Sequence, residues 1–190
     1  FTVSPTVNST YSITGTSALG CISSTPVIAA VTIYSLPIIS APSGSICQGD
    51  TYTIQPIGAN TYTYSSGSPF VSPINTSTFA VNGTDSFGCV ASSAANVTIV
   101  VNPIPTIIAV SSSSTICAGS NATLQASGAI SYTWNPNIVA PSLIVTPTVT
   151  STYSVTGKDT NGCIDTETVS LNVNPTPLIN VVSTSSILCS

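Results

Sequence analysis

Six cysteines are the residues of this 190-residue chain whose type and spacing are best suited to chemistry. One series stands in the segments "SICQG", "TICAG" and "SILCS" and comprises Cys47, Cys117 and Cys189. The second series comprises Cys21, Cys89 and Cys163, and each of its members directly follows a glycine. Regular spacing of this kind is compatible with metal ligation, with thiol redox chemistry or with disulfides.

Disulfides fit these cysteines best. A zinc site needs close ligand pairs or histidine, and a redox pair needs Cys-x-x-Cys. The chain has no His, and its cysteines are all far apart in the sequence. One bridge per sequence repeat predicts two pairs: Cys47 with Cys89, and Cys117 with Cys163. Cys21 and Cys189 are then expected to bond outside this sequence. Patterned disulfides indicate an oxidising compartment, so we expect an extracellular or cell-surface protein.

The remaining polar residues offer little catalytic chemistry. A Ser-His pair is excluded because the chain has no His, and we expect no cofactor and no enzymatic activity. Hard cations prefer clustered oxygen ligands, which makes one acidic group a weak calcium candidate: Asp159, Asn161, Asp165 and Glu167. The alternative interpretation is that these are solvated turn and strand residues.

Charge and aromatic content bear on nucleic acid and sugars as partners. One Lys, no Arg and a net charge of −4 cannot neutralise a phosphate backbone. Stacking on sugar rings is conceivable for four aromatic residues, which are more commonly core residues in small β-domains: Tyr62, Tyr64, Tyr132 and Trp134. Five asparagines begin Asn-x-Ser/Thr sequons and are possible glycosylation sites: Asn8, Asn75, Asn82, Asn96 and Asn121.

The cysteines belong to a long internal repeat. The phrase "STYSITG" at residues 9–15 returns as "STFAVNG" at 77–83 and as "STYSVTG" at 151–157. The implied organisation is the back part of a repeat, two complete repeats and the start of another: 1–37, 38–105, 106–177 and 178–190. The two partial pieces together are shorter than one complete repeat, so we expect a window from a longer chain.

Alternating apolar and polar residues predict strands throughout each repeat. In "ATLQASG" the residues Ala122, Leu124 and Ala126 share one face, and Asn161-Gly162 predicts a tight turn between two later strands. About seven short strands per repeat indicate an all-β fold of tandem immunoglobulin-like β-sandwich domains, with one disulfide each. No apolar run approaches the roughly 18 residues of a membrane span.

The anchor segments "ICAG", "SYTW", "DTNGC" and "VNPTP" resemble the tandem immunoglobulin-like (PKD-like) repeats of very large secreted surface proteins of Bacteroidota. The resemblance covers the whole sequence and is strongest over 106–177, whereas 38–105 has Tyr64 in place of the tryptophan. It implies export to the cell surface by the type IX route, and roles in adhesion, gliding or matrix building.

The low charge indicates a function. Charged residues make up 3% of the chain, Ser and Thr fill 62 positions, and the mean hydropathy is +0.49. Such a β-protein is expected to self-associate, unless glycans cover it. We therefore predict a structural extracellular array that forms a fibre, filament or sheath, with copies or repeats of itself as partner. The alternatives are an adhesin stalk that spaces a distal binding domain, and an accessory carbohydrate-binding module.

Overall fold

The structure, a computed structural model, describes residues 2–182. Over this range the chain forms sixteen β-strands and two compact units. The first unit contains residues 2–44 and 51–100, and the second contains 45–50 and 101–182. Within the described range no helix is long and apolar enough to cross a membrane. The predicted all-β class is confirmed.

The strands of the first unit form three sheets. They are β1 (Ser9–Ile13), β2 (Val27–Val31), β3 (Gly44–Cys47), β4 (Tyr52–Thr53), β5 (Thr61–Tyr64), β6 (Phe70–Val71), β7 (Ser77–Thr84) and β8 (Ala95–Asn102). Strands β1 and β2 form an antiparallel hairpin, β4 pairs with β6, and the third sheet has the order β3-β8-β7-β5. The unit boundary falls inside β3 and β8, because residues 45–47 of β3 and 101–102 of β8 belong to the second unit.

The second unit is built from the strands that follow. They are β9 (Ile108–Ser111), β10 (Thr115–Cys117), β11 (Ala122–Ser127), β12 (Ser131–Trp134), β13 (Ile138–Val139), β14 (Ser142–Val145), β15 (Ser151–Lys158) and β16 (Ile164–Asn174). A five-stranded sheet has the order β10-β16-β15-β12-β13, and a three-stranded sheet has the order β14-β11-β9. Strand β10 runs parallel to β16. The repeat 106–177 thus has eight strands, where about seven were predicted.

The core of the second unit draws on both of its sheets. In β11 the burial alternates with period two, and Ala122, Leu124 and Ala126, which were predicted to share one face, are all buried. Leu124 and Ala126 belong to one cluster with residues of the other sheet that include Trp134 and Val155, both 0% exposed. Period-two alternation places every second side chain on one face, so the apolar pattern of β11 matches the face that is buried.

In both complete repeats the recurring phrase ends in a glycine, and a neighbouring side chain occupies the space that a Cβ would take. A Cβ on Gly83 would lie 2.6 Å from Ile39 Cδ1 and 2.6 Å from Ala59 Cβ. A Cβ on Gly157 would overlap Cδ1 of Ile107, which is a core residue. In both complete repeats the phrase therefore provides a strand, and its final glycine lets a neighbouring isoleucine pack closely against that strand.

Candidate functional site: the two cysteine turns

The second cysteine of each repeat lies in a five-residue loop, here called the G-C turn and exemplified by residues 159–163. The loop joins β15 to β16 and is closed by a hydrogen bond from the Asp159 amide to the Cys163 carbonyl, at 2.9 Å. The Asp159 carboxylate accepts the amides of Asn161 (2.9 Å) and Cys163 (2.8 Å). Gly162 has a φ of +89°, which favours glycine. The predicted turn is present as a longer loop, with Asp159 as its organising residue.

Equivalent G-C turns occur at residues 85–89 and 17–21. Asp85 donates its amide to the Cys89 carbonyl at 3.0 Å, and its carboxylate accepts the Cys89 amide at 2.8 Å. In the earlier turn Ser17 takes the place of the aspartate, and its hydroxyl accepts the Cys21 amide at 3.2 Å. Three cysteines are thus presented by closely similar loops.

The first cysteine of both complete repeats lies in a second kind of loop, here called the I-C turn and comprising residues 46–50 and 116–120. The carbonyls of Cys47 and Cys117 both accept an amide from three residues further along, at 3.0 Å. The amide that follows each cysteine donates to the carbonyl of Asn102 or Asn174, at 2.8 and 2.9 Å. Each I-C turn is therefore held against the end of the last strand of its own repeat.

A disulfide joins an I-C turn to a G-C turn, and it does so between consecutive repeats. Cys47 bonds to Cys163, with their Cα atoms 5.5 Å apart, across 116 residues of sequence. The predicted pairs Cys47–Cys89 and Cys117–Cys163 are therefore wrong. The physical reason is that residues 45–50 pack in the unit formed by the chain after residue 100, so the thiol within bonding distance of Cys47 belongs to the next repeat.

The remaining described cysteines carry no disulfide. Cys21 and Cys117 are exposed, and Cys89 is half-buried. Cys189 lies outside the described residues. The prediction of one disulfide per repeat is thus replaced, over residues 2–182, by one inter-repeat disulfide and three free thiols.

The acidic residues named as a weak calcium candidate have separate structural settings. Asp159 is occupied by the two amides of its own turn. Asp165 and Glu167 are exposed on β16, and the Glu167 carboxylate accepts the amide of Thr168 at 2.8 Å. Over the described residues no three His, Cys, Asp or Glu side chains form a metal-binding group. The calcium site stays a prediction.

Two of the four aromatic residues anchor corners of the chain. The Tyr132 hydroxyl accepts the amide of Ala129 at 2.7 Å and donates to its carbonyl at 2.6 Å. Tyr62 forms the same pair with Ala59, at 3.0 and 2.9 Å. Because each hydroxyl satisfies both polar groups of one residue, these tyrosines hold the backbone at the two corners.

Trp134 belongs to the core. Its side chain is 0% exposed, and its Nε1 donates to the Ala140 carbonyl at 3.1 Å. The core interpretation of this residue is confirmed, and Trp134 is not available to stack on a sugar ring. The equivalent Tyr64 is half-buried.

The five sequon asparagines differ in their accessibility. Asn8 accepts the amide of Ile33 at 2.7 Å, and the half-buried Asn82 accepts the amide of Gly83 at 2.8 Å. Asn8 is exposed, as are the other three sequon asparagines: Asn75, Asn96 and Asn121. A glycan would meet the fewest competing hydrogen bonds at these three positions.

Hydroxyl pairs occupy the solvent faces of the long hairpins. Cross-strand side-chain hydrogen bonds join three pairs of Thr and Ser at 2.9 to 3.0 Å: Thr78 with Thr98, Thr152 with Ser170, and Thr156 with Thr166. Such pairs stabilise the sheet and carry no charge themselves.

Comparison with known proteins yields structural likeness only. No family model and no curated protein match this sequence. The N-terminal eight immunoglobulin domains of Down Syndrome Cell Adhesion Molecule align over 88% of this chain and 27% of that one, with 16% identity and a TM-score of 0.42. A Ca²⁺-stabilised adhesin that helps an Antarctic bacterium bind ice aligns over 88% of this chain and 57% of that one, with 14% identity and a TM-score of 0.43.

A third similar structure is a 1.5-MDa bacterial ice-binding adhesin, which aligns over 74% of this chain and 66% of that one, with 14% identity and a TM-score of 0.38. The chain thus spans between about a quarter and two thirds of these structures. All three are immunoglobulin-like or adhesin proteins. Their ice, calcium and cell-surface partners are properties of those proteins, and at these TM-scores they assign none to this chain.

Proposed function

We propose that this chain is a non-enzymatic extracellular structural protein, in which tandem immunoglobulin-like β-sandwich repeats build a fibre, filament or sheath. One observation carries the proposal: the residues that recur from repeat to repeat hold the fold. The recurring residues close turns, fill the core or permit close approach of the backbone. A chain that reuses only such residues gains length by adding units.

Two further glycines illustrate this reuse. Gly58 and Gly128 have φ values of +104° and +101°. A Cβ on Gly58 would overlap the carbonyl oxygen of Ile38, and a Cβ on Gly128 would overlap that of Thr106. The same backbone crossing is thus made in both complete repeats, and each has a conformation that only glycine adopts without strain.

The outer strands of the second unit favour association between copies. Strand β13 ends the five-stranded sheet, and β14 ends the three-stranded sheet. Their side chains include Val139, which is 74% exposed, and Ile144, which is 68% exposed. Charge and proline are two of the devices by which native proteins protect edge strands from pairing. These two strands contain neither, so nothing on them repels another copy.

The β1–β2 hairpin supports assembly by a different route. An open cavity of about 330 Å³ is lined by apolar side chains of the hairpin, including Ile13 and Val31. The equivalent residues of repeat 106–177, Val155 and Leu171, are 0% exposed. We infer that a segment equivalent to residues 106–134 of the complete repeat covers the open face of the hairpin.

An adhesin stalk is the second candidate, and the Cys47–Cys163 bond favours it. Under tension this bond carries the force past the chain between Cys47 and Cys163, so that segment cannot be extended even when it unfolds. The stalk therefore stays a proposal beside the fibre. The carbohydrate-binding module is not proposed again, because Trp134 and Tyr132 are core residues.

Electron microscopy of the native material tests this proposal. Regular filaments with a subunit repeat of two or three domains would support the fibre. Separate rods that end in a distinct head would contradict it and favour the stalk. Imaging the same preparation after mild reduction is the matched control, because loss of filaments only after reduction would show that disulfides hold them.

A further inference from the structure

Three described cysteines are free although they lie in turns of the same two kinds as the cysteines that are bonded. Cys117 occupies an I-C turn that matches the turn of Cys47 in both backbone hydrogen bonds. Cys21 and Cys89 occupy G-C turns that match the turn of Cys163. The free thiols are therefore presented in the same way as the bonded ones. What they lack is a disulfide to a cysteine turn of the other kind.

The one disulfide observed defines a direction. Cys47 comes from the I-C turn of repeat 38–105, and Cys163 comes from the G-C turn of repeat 106–177. If every junction follows this rule, Cys117 needs the G-C turn of a following repeat. Cys89 likewise needs the I-C turn of a preceding repeat.

A second contact shows the preceding junction in the same arrangement. The rings of Tyr34 and Phe87 stack with centroids 3.8 Å apart and an interplanar angle of 12°. Tyr34 and Asn102 hold equivalent positions in their repeats, because Tyr34 follows Cys21 at the same sequence distance at which Asn102 follows Cys89. Asn102 is the strand end against which the I-C turn of Cys47 is held, at 2.8 Å.

Phe87 lies within the G-C turn of Cys89. The stacked rings therefore bring the exit of one repeat against the G-C turn of the next, at the place where an I-C cysteine is expected. This contact is independent of the Cys47–Cys163 bond, since it involves neither sulfur.

We propose that these repeats are linked by a disulfide ladder, in which the I-C cysteine of each repeat bonds to the G-C cysteine of the repeat that follows. The partner of Cys117 is thus a G-C turn of this kind. It has two possible sources, namely a further repeat of one long polypeptide or a second copy of this chain. A second copy offers the exposed Cys21 and the half-buried Cys89.

Each link requires an oxidant. Two thiols form one Sγ–Sγ bond and release two protons and two electrons, which a small disulfide such as oxidised glutathione accepts to become two glutathione thiols. An extracytoplasmic compartment provides such oxidising conditions.

Disulfide mapping tests the ladder. The 190-residue chain, mixed in unlabelled and ¹⁵N-labelled forms, is equilibrated with oxidised and reduced glutathione, alkylated and digested without reduction. We expect a Cys47–Cys163 peptide within one copy. We also expect Cys117 joined to Cys21 or Cys89 of a differently labelled copy, in oligomers that reduction dissolves. In native material, Cys117 joined to a G-C turn peptide outside this sequence would support the ladder with a longer chain as its source.

Two results would overturn the ladder: a Cys117–Cys163 peptide, or Cys117 recovered as an alkylated free thiol from both preparations. In a chain whose Cys189 is replaced by Ser, the variant Cys117→Ser should lose the oligomers, whereas the control Ser113→Ala should keep them. Both positions are exposed, so neither change should prevent folding. The inference goes beyond the proposed function, because filaments with a free Cys117 would overturn the ladder alone, and cross-linked rods without filaments would overturn the fibre alone.

Discussion

Cys47 and Cys163 are 116 residues apart in the chain, yet their Cα atoms lie 5.5 Å apart and a disulfide joins them. The bond connects the beginning of one sequence repeat with the final hairpin of the next. Both residues nevertheless belong to one compact unit. The boundary of the sequence repeat and the boundary of the packed unit are therefore different.

Removing this disulfide should destabilise the second unit strongly. In the chain-entropy model a bond that closes a loop of about 100 residues contributes roughly 4–5 kcal/mol, because it restricts the unfolded chain. We expect the double variant Cys47→Ser/Cys163→Ser to lose about 4 kcal/mol in the free energy of unfolding, measured with urea. The control Cys21→Ser removes an exposed free thiol and should change little. Equal stability of the two variants would contradict an inter-repeat bond.

Alanine in place of Gly157 should also destabilise the second unit. Its Cβ would overlap Ile107 Cδ1 and lie 3.1 Å from Ala129 Cβ. Overpacking of this kind costs about 1–3 kcal/mol, which a urea titration of Gly157→Ala can measure. The control is Gly15→Ala, at the same place in the recurring phrase, where nothing lies within 4 Å of the new Cβ. A larger loss for Gly15→Ala than for Gly157→Ala would be incompatible with the packing described.

The Asp159 carboxylate should matter for the G-C turn and not for a metal. Asp159→Ala removes the acceptor of two amide hydrogen bonds, and we expect a loss of about 2 kcal/mol by thermal or urea unfolding. Asp159→Asn should retain much of the stability, because its amide oxygen still accepts.

The exposed Asp165 is the matched control, since its carboxylate lies on β16 and outside the G-C turn. Asp165→Ala should therefore leave the free energy of unfolding nearly unchanged. A melting temperature that rises on adding Ca²⁺, and fails to rise in Asp165→Ala, would instead support the calcium site.

Truncation of Trp134 should disrupt the fold. The side chain is fully buried, and Trp→Ala substitutions in cores cost about 3–5 kcal/mol. We expect Trp134→Ala to lose near-ultraviolet circular dichroism and cooperative unfolding of the second unit. Val139→Ala removes an exposed side chain and should leave both intact. A folded Trp134→Ala protein that had lost binding to a glycan array would revive the carbohydrate-binding interpretation.

Local pattern was sufficient for much of this fold. The alternation in "ATLQASG" identified the buried face of β11, because side chains of a strand alternate between its two faces regardless of what lies beyond. The recurring cysteines and glycines identified the repeat, and the turn before Cys163 lies where Asn161-Gly162 predicted it. The aromatic Trp134 was correctly assigned to the core.

The sequence by itself therefore determined the all-β class, the recurrence of its motifs and the turn that precedes Cys163. Only the tertiary structure decided which thiols meet. Bonding requires Cα atoms within about 4.4–6.8 Å, and that distance depends on how segment 45–50 packs against the chain that follows residue 100. Repeat spacing assigns Cys47 and Cys89 to one repeat without bringing them together. Packing across the repeat boundary gives Cys47 its partner in Cys163.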